Sequence, residues 1–143
     1  MSIQSILDRK GADVITIRAT QTVKDAADRM RARNIAALVV TSGDAISGLI
    51  SEREIVHAMS LHGESALAMT VLDVMPHTTI TIAPGDALNR AMTLMTNHRM
   101  RHLPVLADGK LAGIVSIGDV VKYRLEELET ESNVLRDAYI ASH

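Results

Sequence analysis

The stretch "GLISEREI" at residues 48–55 returns as "GIVSIGDV" at residues 113–120. Both read as Gly, two branched apolar residues, Ser, two variable residues, a carboxylate and a branched residue. One ungapped offset, from 48 to 113, lays residues 14–60 over 79–125. Under it Ile15, Thr16, Ile17, Ala26, Met30, Leu38, Val40, Gly48, Ser51 and Val56 all recur identically. Self-similarity at a fixed period marks a duplicated structural unit, and it restricts the fold more than any other property of the chain.

Each copy has the same local grammar. A short β-branched segment, residues 14–17 or 79–82, predicts a strand. A helix start follows, Thr22 with Asp25 three residues on, or Pro84-Gly85-Asp86. Val23, Ala26, Ala27 and Met30, or Leu88, Ala91, Met92 and Met95, then fall at helical spacing. A second strand is expected over 35–40 or 103–106. Gly43-Asp44 or Asp108-Gly109 turns the chain, the latter a strong hairpin signal. The third strand covers 46–50 or 111–115, and the repeated Ser opens a second helix.

The expected class is therefore α/β, with two β-α-β-β-α units of about 50 residues. A unit that small rarely builds an adequate core alone. Two units packed sheet to sheet, related by a pseudo-twofold axis, bury both apolar faces. The expected boundaries are residues 8–60 and 78–125 for the repeats, 61–77 for the linker, and 126–143 for a C-terminal helix. Within the linker, residues 67–75 suggest a short helix that stops before Pro76.

Composition narrows the function. The net charge of −2 gives no electrostatic footprint for nucleic acid or an anionic membrane. With two Tyr, no Phe and no Trp, the platforms on which single-stranded bases stack are missing. The eight Met serve as core filler in place of aromatics. Zero cysteines exclude a disulfide framework and thiolate metal sites, which fits the reducing cytoplasm. The N-terminus meets charge at Asp8 and lacks the apolar run of a signal peptide. No apolar stretch approaches the roughly 18 residues that a spanning helix needs.

"GLISEREI", "GIVSIGDVV", "RMRHLPVL" and the strand-helix lead-in of each copy resemble a tandem pair of cystathionine-β-synthase (CBS) domains, a Bateman module. The resemblance covers about residues 8–125. It implies a cleft between the repeats that holds an adenosine-containing ligand: AMP, ADP or ATP, or else NAD or S-adenosylmethionine. It further implies a homodimer and a regulated partner protein, with no catalytic role. The alternative is a ligand-free dimerisation scaffold.

The resemblance carries residue roles to this chain. Ser116 with Asp119, and Ser51 with Glu54, stand where a strand hands over to a helix. A helix N-terminus presents unpaired N–H groups and partial positive charge, which suits a phosphate. An ionised carboxylate only accepts hydrogen bonds, which suits the paired hydroxyls of a ribose. The same pattern is also the capping box, in which Ser and carboxylate satisfy the helix end between them. Glu54 departs from the commoner Asp. Arg101 and His102, just before the second strand of copy two, are implied near the ligand, and Arg binds phosphate bidentately. Arg99 adds a third potential cation there. Pro104 removes a backbone donor and predicts an edge or exposed strand start. The first copy has Asn34, Ile35, Ala36 and Ala37 at the matching positions, so the two clefts are chemically unequal. The cleft using Ser116, Asp119, Arg101 and His102 reads as the better one. Arg53 is a candidate phosphate contact in either. Thr16, Thr81 and Ile80 are implied near the base.

Other chemistries read weakly. His98 and His102 have metal-ligand spacing only on one helix, and the helix should end between them. A Ser-His-Asp hydrolase lacks a nucleophile elbow. From Val120 to Tyr139 the chain reads as one long helix, with Val121, Leu125, Leu128, Leu135 and Tyr139 near a 3.5-residue seam and Ser132 interrupting it. Such a helix binds a partner or second copy, or folds back on its own module.

Overall fold

A computed structural model describes residues 1–142. The elements run α1 (Ile3–Lys10), β1 (Thr16–Arg18), α2 (Val23–Arg33), β2 (Ala37–Ser42), β3 (Ala45–Ser51), α3 (Glu52–His62), a 3₁₀ segment (Gly63–Ala68), α4 (Val71–Val74), α5 (Leu88–His98), β4 (His102–Ala107), β5 (Lys110–Ser116) and α6 (Ile117–Ser142). Two α/β units carry one small sheet each, and β3 approaches β5 where the units meet.

In the first unit β1 pairs parallel with β2, and β2 antiparallel with β3. In the second, β4 pairs antiparallel with β5. The hairpins match closely. Both register shifts fall at equivalent places, between Val40 and Thr41 and between Val105 and Leu106. Both loops have two residues. Asp108 and Gly109 share positive φ, as a type I′ turn requires, whereas in the first loop Gly43 takes the positive φ.

The expected strand at 79–82 is reduced to a single parallel bridge, Ile82 to Val105. The cause is Pro104. In the first unit the Val39 N–H donates to the Ile15 carbonyl at 3.3 Å. Pro104 occupies the equivalent place and has no N–H to give. Pro104 is buried, with β5 on one side and Ile82 on the other, which corrects the exposed edge expected for it.

Helix α1 lies outside the repeat pattern. Its signals are short: Ser2 caps by accepting from the Ser5 N–H, Ile3, Ile6 and Leu7 share a buried face, and Gly11 ends it with φ 94°. That face packs into the core of the second unit, against Leu88, Ala91, Met95, Leu103 and Val115. Reciprocally, Val71 and Met75 from the linker enter the core of the first unit, beside Val23, Leu38 and Ile50. The backbone repeats the exchange. Ile3 N–H donates to the Asp86 carbonyl and Leu88 N–H to that of Met1; Val71 N–H donates to the Gln21 carbonyl and Val23 N–H to that of Met69.

The exchange explains the repeated glycine. A Cβ on Gly113 would lie 2.6 Å from a Leu7 methyl, and one on Gly48 would lie 2.6 Å from the Met75 methyl. Each glycine makes room for the side chain that the other half of the exchange supplies. Burying Ile3, Ile6 and Leu7 contributes roughly 1.5–3 kcal/mol each, enough for two small cores to hold together as one body. Among the described residues, no helix is long and apolar enough to cross a membrane.

Candidate functional site

A groove of about 1450 Å³ runs between the units. One wall comes from the end of β3 and the start of α3, with Ser51, Arg53 and Glu54. The opposite wall comes from Thr79, Ile80 and the α5–β4 turn, with Arg99, Arg101 and His102. Leu49, Val56, Val74, Met100 and Ile117 give it apolar surface. Hydrogen bonds link the two walls: Arg53 Nη1 donates to the Arg99 carbonyl at 3.2 Å, and Thr79 Oγ1 donates to the Ser47 carbonyl at 3.0 Å.

Local conformation positions these groups. Arg99 ends α5 in the left-handed region (φ 53°), as Asn34 ends α2 (φ 53°). That turn reverses the chain so that Arg101 and His102 follow at the groove. The helix N-termini are locked in the same way at both repeats. Ile117 N–H donates to the Arg101 carbonyl, and Glu52 N–H to that of Ala36.

The two Ser-carboxylate pairs do form caps. Asp119 Oδ2 accepts from the Ser116 N–H at 2.9 Å, while Ser116 Oγ accepts from the Asp119 N–H at 3.1 Å. Glu54 accepts from both the N–H and the hydroxyl of Ser51. Of the candidate residues, Ser51, Arg53, Glu54, Ile80, Arg101 and His102 line the groove together. Ser116, Asp119, Thr81, Pro104 and Thr16 are not among its lining residues. Ser116 pairs with His102 across the β4–β5 ladder, and the Thr16 carbonyl accepts from Arg29 at 2.7 Å.

Asp119 has a partner that sequence reasoning missed. Lys10, at the end of α1, reaches its Oδ2 at 2.7 Å and also donates to the Ile114 carbonyl at 3.0 Å. Burial opposes the charged form of Asp119, but the hydrogen bonds from Lys10 and Ser116 outweigh it and hold the carboxyl below its ordinary range. His102 is pushed down from 6.5, chiefly by burial and then by Lys10 and Arg101, with Asp119 and Glu52 pulling the other way. Nothing periodic in the sequence links Lys10 to Asp119, 109 residues away.

The groove thus offers arginine donors above apolar surface, with hydroxyl and carboxylate groups at a helix start. This suits a ligand that is anionic at one end and flat and apolar at the other. Among the described residues, no group of three or more His, Asp or Glu is placed to hold a metal ion.

The family model described as CBS domain matches residues 5–61 and 71–126. A mitochondrial CBS domain-containing protein of Arabidopsis thaliana is 40% identical over 124 residues, covering 83% of this chain; the chain spans only 60% of that relative's length. The crystal structure of a CBS-domain protein from Agrobacterium tumefaciens superposes with a TM-score of 0.84 at 37% identity, covering 87% of this chain and 99% of the other. A CBS domain protein of Pyrobaculum aerophilum, solved in complex with AMP, shares the fold with a TM-score of 0.74 at 22% identity, covering 83% and 89%.

Proposed function

The chain belongs to the CBS-domain family, and on that basis we propose that it is a regulatory module that binds an adenine nucleotide in the groove between its repeats without changing it chemically. The observation that carries this reading is the convergence of Arg53, Arg99 and Arg101 from both units on one groove with an apolar lining. Arginine forks take the phosphates. Ile80 and its neighbours take the base, and a carboxylate takes the ribose. Glu54 stands inside the groove for that last role. Asp119, the other carboxylate that the resemblance implies, stands outside this groove, with its bonds to Ser116 and Lys10 both on Oδ2. The AMP complex of the Pyrobaculum relative supports the ligand class. AMP, ADP or ATP fits best, and NAD or S-adenosylmethionine shares the adenosyl group.

Binding signals by changing the relation of the two units. A ligand that touches both walls favours the closed arrangement, and it acts only to the extent that it binds that arrangement more tightly. The listener is a partner protein, and the module works as a homodimer.

Melting curves with AMP, ADP, ATP, NAD and S-adenosylmethionine test the reading. At ~100 times Kd the bound form gains about 2.7 kcal/mol, which raises Tm by roughly 6–10 °C. Arg101→Ala removes most of that shift, because its exposed guanidinium touches the ligand and not the core. Asp119→Ala separates the two carboxylates: a retained shift leaves the ribose with Glu54 in this groove, and a lost one moves the ligand to Asp119, outside it. No shift with any nucleotide leaves the ligand-free scaffold as the function.

A further inference from the structure

Helix α6 runs past the body of its own chain. Val120 and Tyr123 anchor its first turns in the second core, but every described residue from Leu128 onward is exposed, Leu135 by 72%. Val121, Leu125, Leu128, Ser132, Leu135 and Tyr139 follow one another at alternating steps of four and three. This is the heptad spacing of a left-handed coiled coil, with Leu125, Ser132 and Tyr139 at a and Val121, Leu128 and Leu135 at d. At 100° per residue the seam lies roughly 130° round the helix from the anchoring residues. The body of the chain therefore leaves it uncovered.

We propose that residues 121–139 form a parallel, in-register, two-stranded coiled coil with the same helix of a second copy of this chain. The flanking charges select that occupant and that direction. In a parallel pair each g residue faces the following e residue of the other helix. Here Arg124 at g faces Glu129 of the second copy, and Glu131 at g faces Arg136 of the second copy. Both pairs are opposite in sign, and the symmetry doubles them. An antiparallel pair sets e against e and g against g, which places Glu129 near Glu129 and Glu131 near Glu131. Within the described residues of one chain, Glu129 and Glu131 have no ion-pair partner, while Arg124 meets Glu127 only at 3.7 Å. Ser132 is the one polar seam residue between Leu125 and Leu135, and a single polar a position fixes register. The seam is short, but its helix is already nucleated by the anchored first turns, so pairing does not bear that cost. The inference stands apart from the nucleotide reading, since none of these residues lines the groove.

The absence of cysteine makes the test direct. Full-length Ser132→Cys, mildly oxidised, should cross-link into a covalent dimer much faster than Thr130→Cys, which points away from the seam. Sedimentation equilibrium should show a dimer, and Leu135→Asp should raise its dissociation constant about tenfold or more. Glu131→Arg should weaken the dimer, and Glu131→Arg combined with Arg136→Glu should restore it. A monomer at all concentrations, a dimer indifferent to Leu135→Asp, cross-linking no faster through position 132 than 130, or failure of the double reversal to restore association each overturns the proposal.

Discussion

Lys10 Nζ lies 2.7 Å from Asp119 Oδ2, and this bond ties the first helix of the chain to the first turn of the last. Both side chains are largely shielded, 29% and 21% exposed. The contact sits beside His102, so one cluster couples the N-terminal helix, the end of β4 and the start of α6.

Asp119 contributes to acid sensitivity. Its folded pKa is depressed below 3.8, so the unfolded chain takes up the proton first. The stabilisation is fully present above that value and is lost as pH falls through the lower folded one. Urea unfolding at pH 7 should show Asp119→Asn weaker by about 1 kcal/mol, a figure discounted for the solvent that reaches the pair. The difference from wild type should shrink toward pH 2.

His102 acts at milder acidity. Its folded pKa lies below 6.5, so the neutral ring is the form the fold accepts. Stability should be complete above pH 6.5 and should fall as pH drops from there to the folded value. His102→Gln should flatten that stretch of a stability-versus-pH curve and leave the Asp119 stretch in place. Bound phosphate would favour the imidazolium, so nucleotide binding should take up a proton below pH 6.5, measurable by calorimetry in two buffers of different ionisation enthalpy.

The exchange of segments predicts where small changes hurt. Gly113→Ala should cost about 1–3 kcal/mol, because the new methyl meets Leu7 in a filled core. Leu7→Ala should cost about 2–5 kcal/mol despite its place near the chain start. Gly85→Ala adds its methyl into open space and at no positive φ, so it should stay within about 0.5 kcal/mol. Thermal unfolding of the three variants checks all of it.

Arg99 holds a left-handed conformation that a long side chain tolerates poorly, where the first repeat has Asn34. Arg99→Gly should therefore stabilise the protein by about 1 kcal/mol. Because the guanidinium borders the groove, the same change should weaken nucleotide binding. A higher Tm without ligand together with a smaller ligand shift is the expected signature.

The duplication, the α/β class, both hairpins and the two Ser-carboxylate caps are legible in the order of residues. Each is written in near neighbours: Asp108-Gly109 admits positive φ, and Ser116 and Asp119 are one helical turn apart. Local grammar misled where a partner strand mattered, since "TITI" at 79–82 reads as a strand until the missing N–H of Pro104 is counted. Four other features emerge only once the chain has closed on itself. Helix α1 completes the second core, the linker completes the first, Lys10 holds Asp119, and Arg101 and His102 share a groove with Ser51, Arg53 and Glu54. Those are meetings between distant residues, created by how two apolar faces close against each other, and no periodicity along the chain encodes which side chain arrives opposite which.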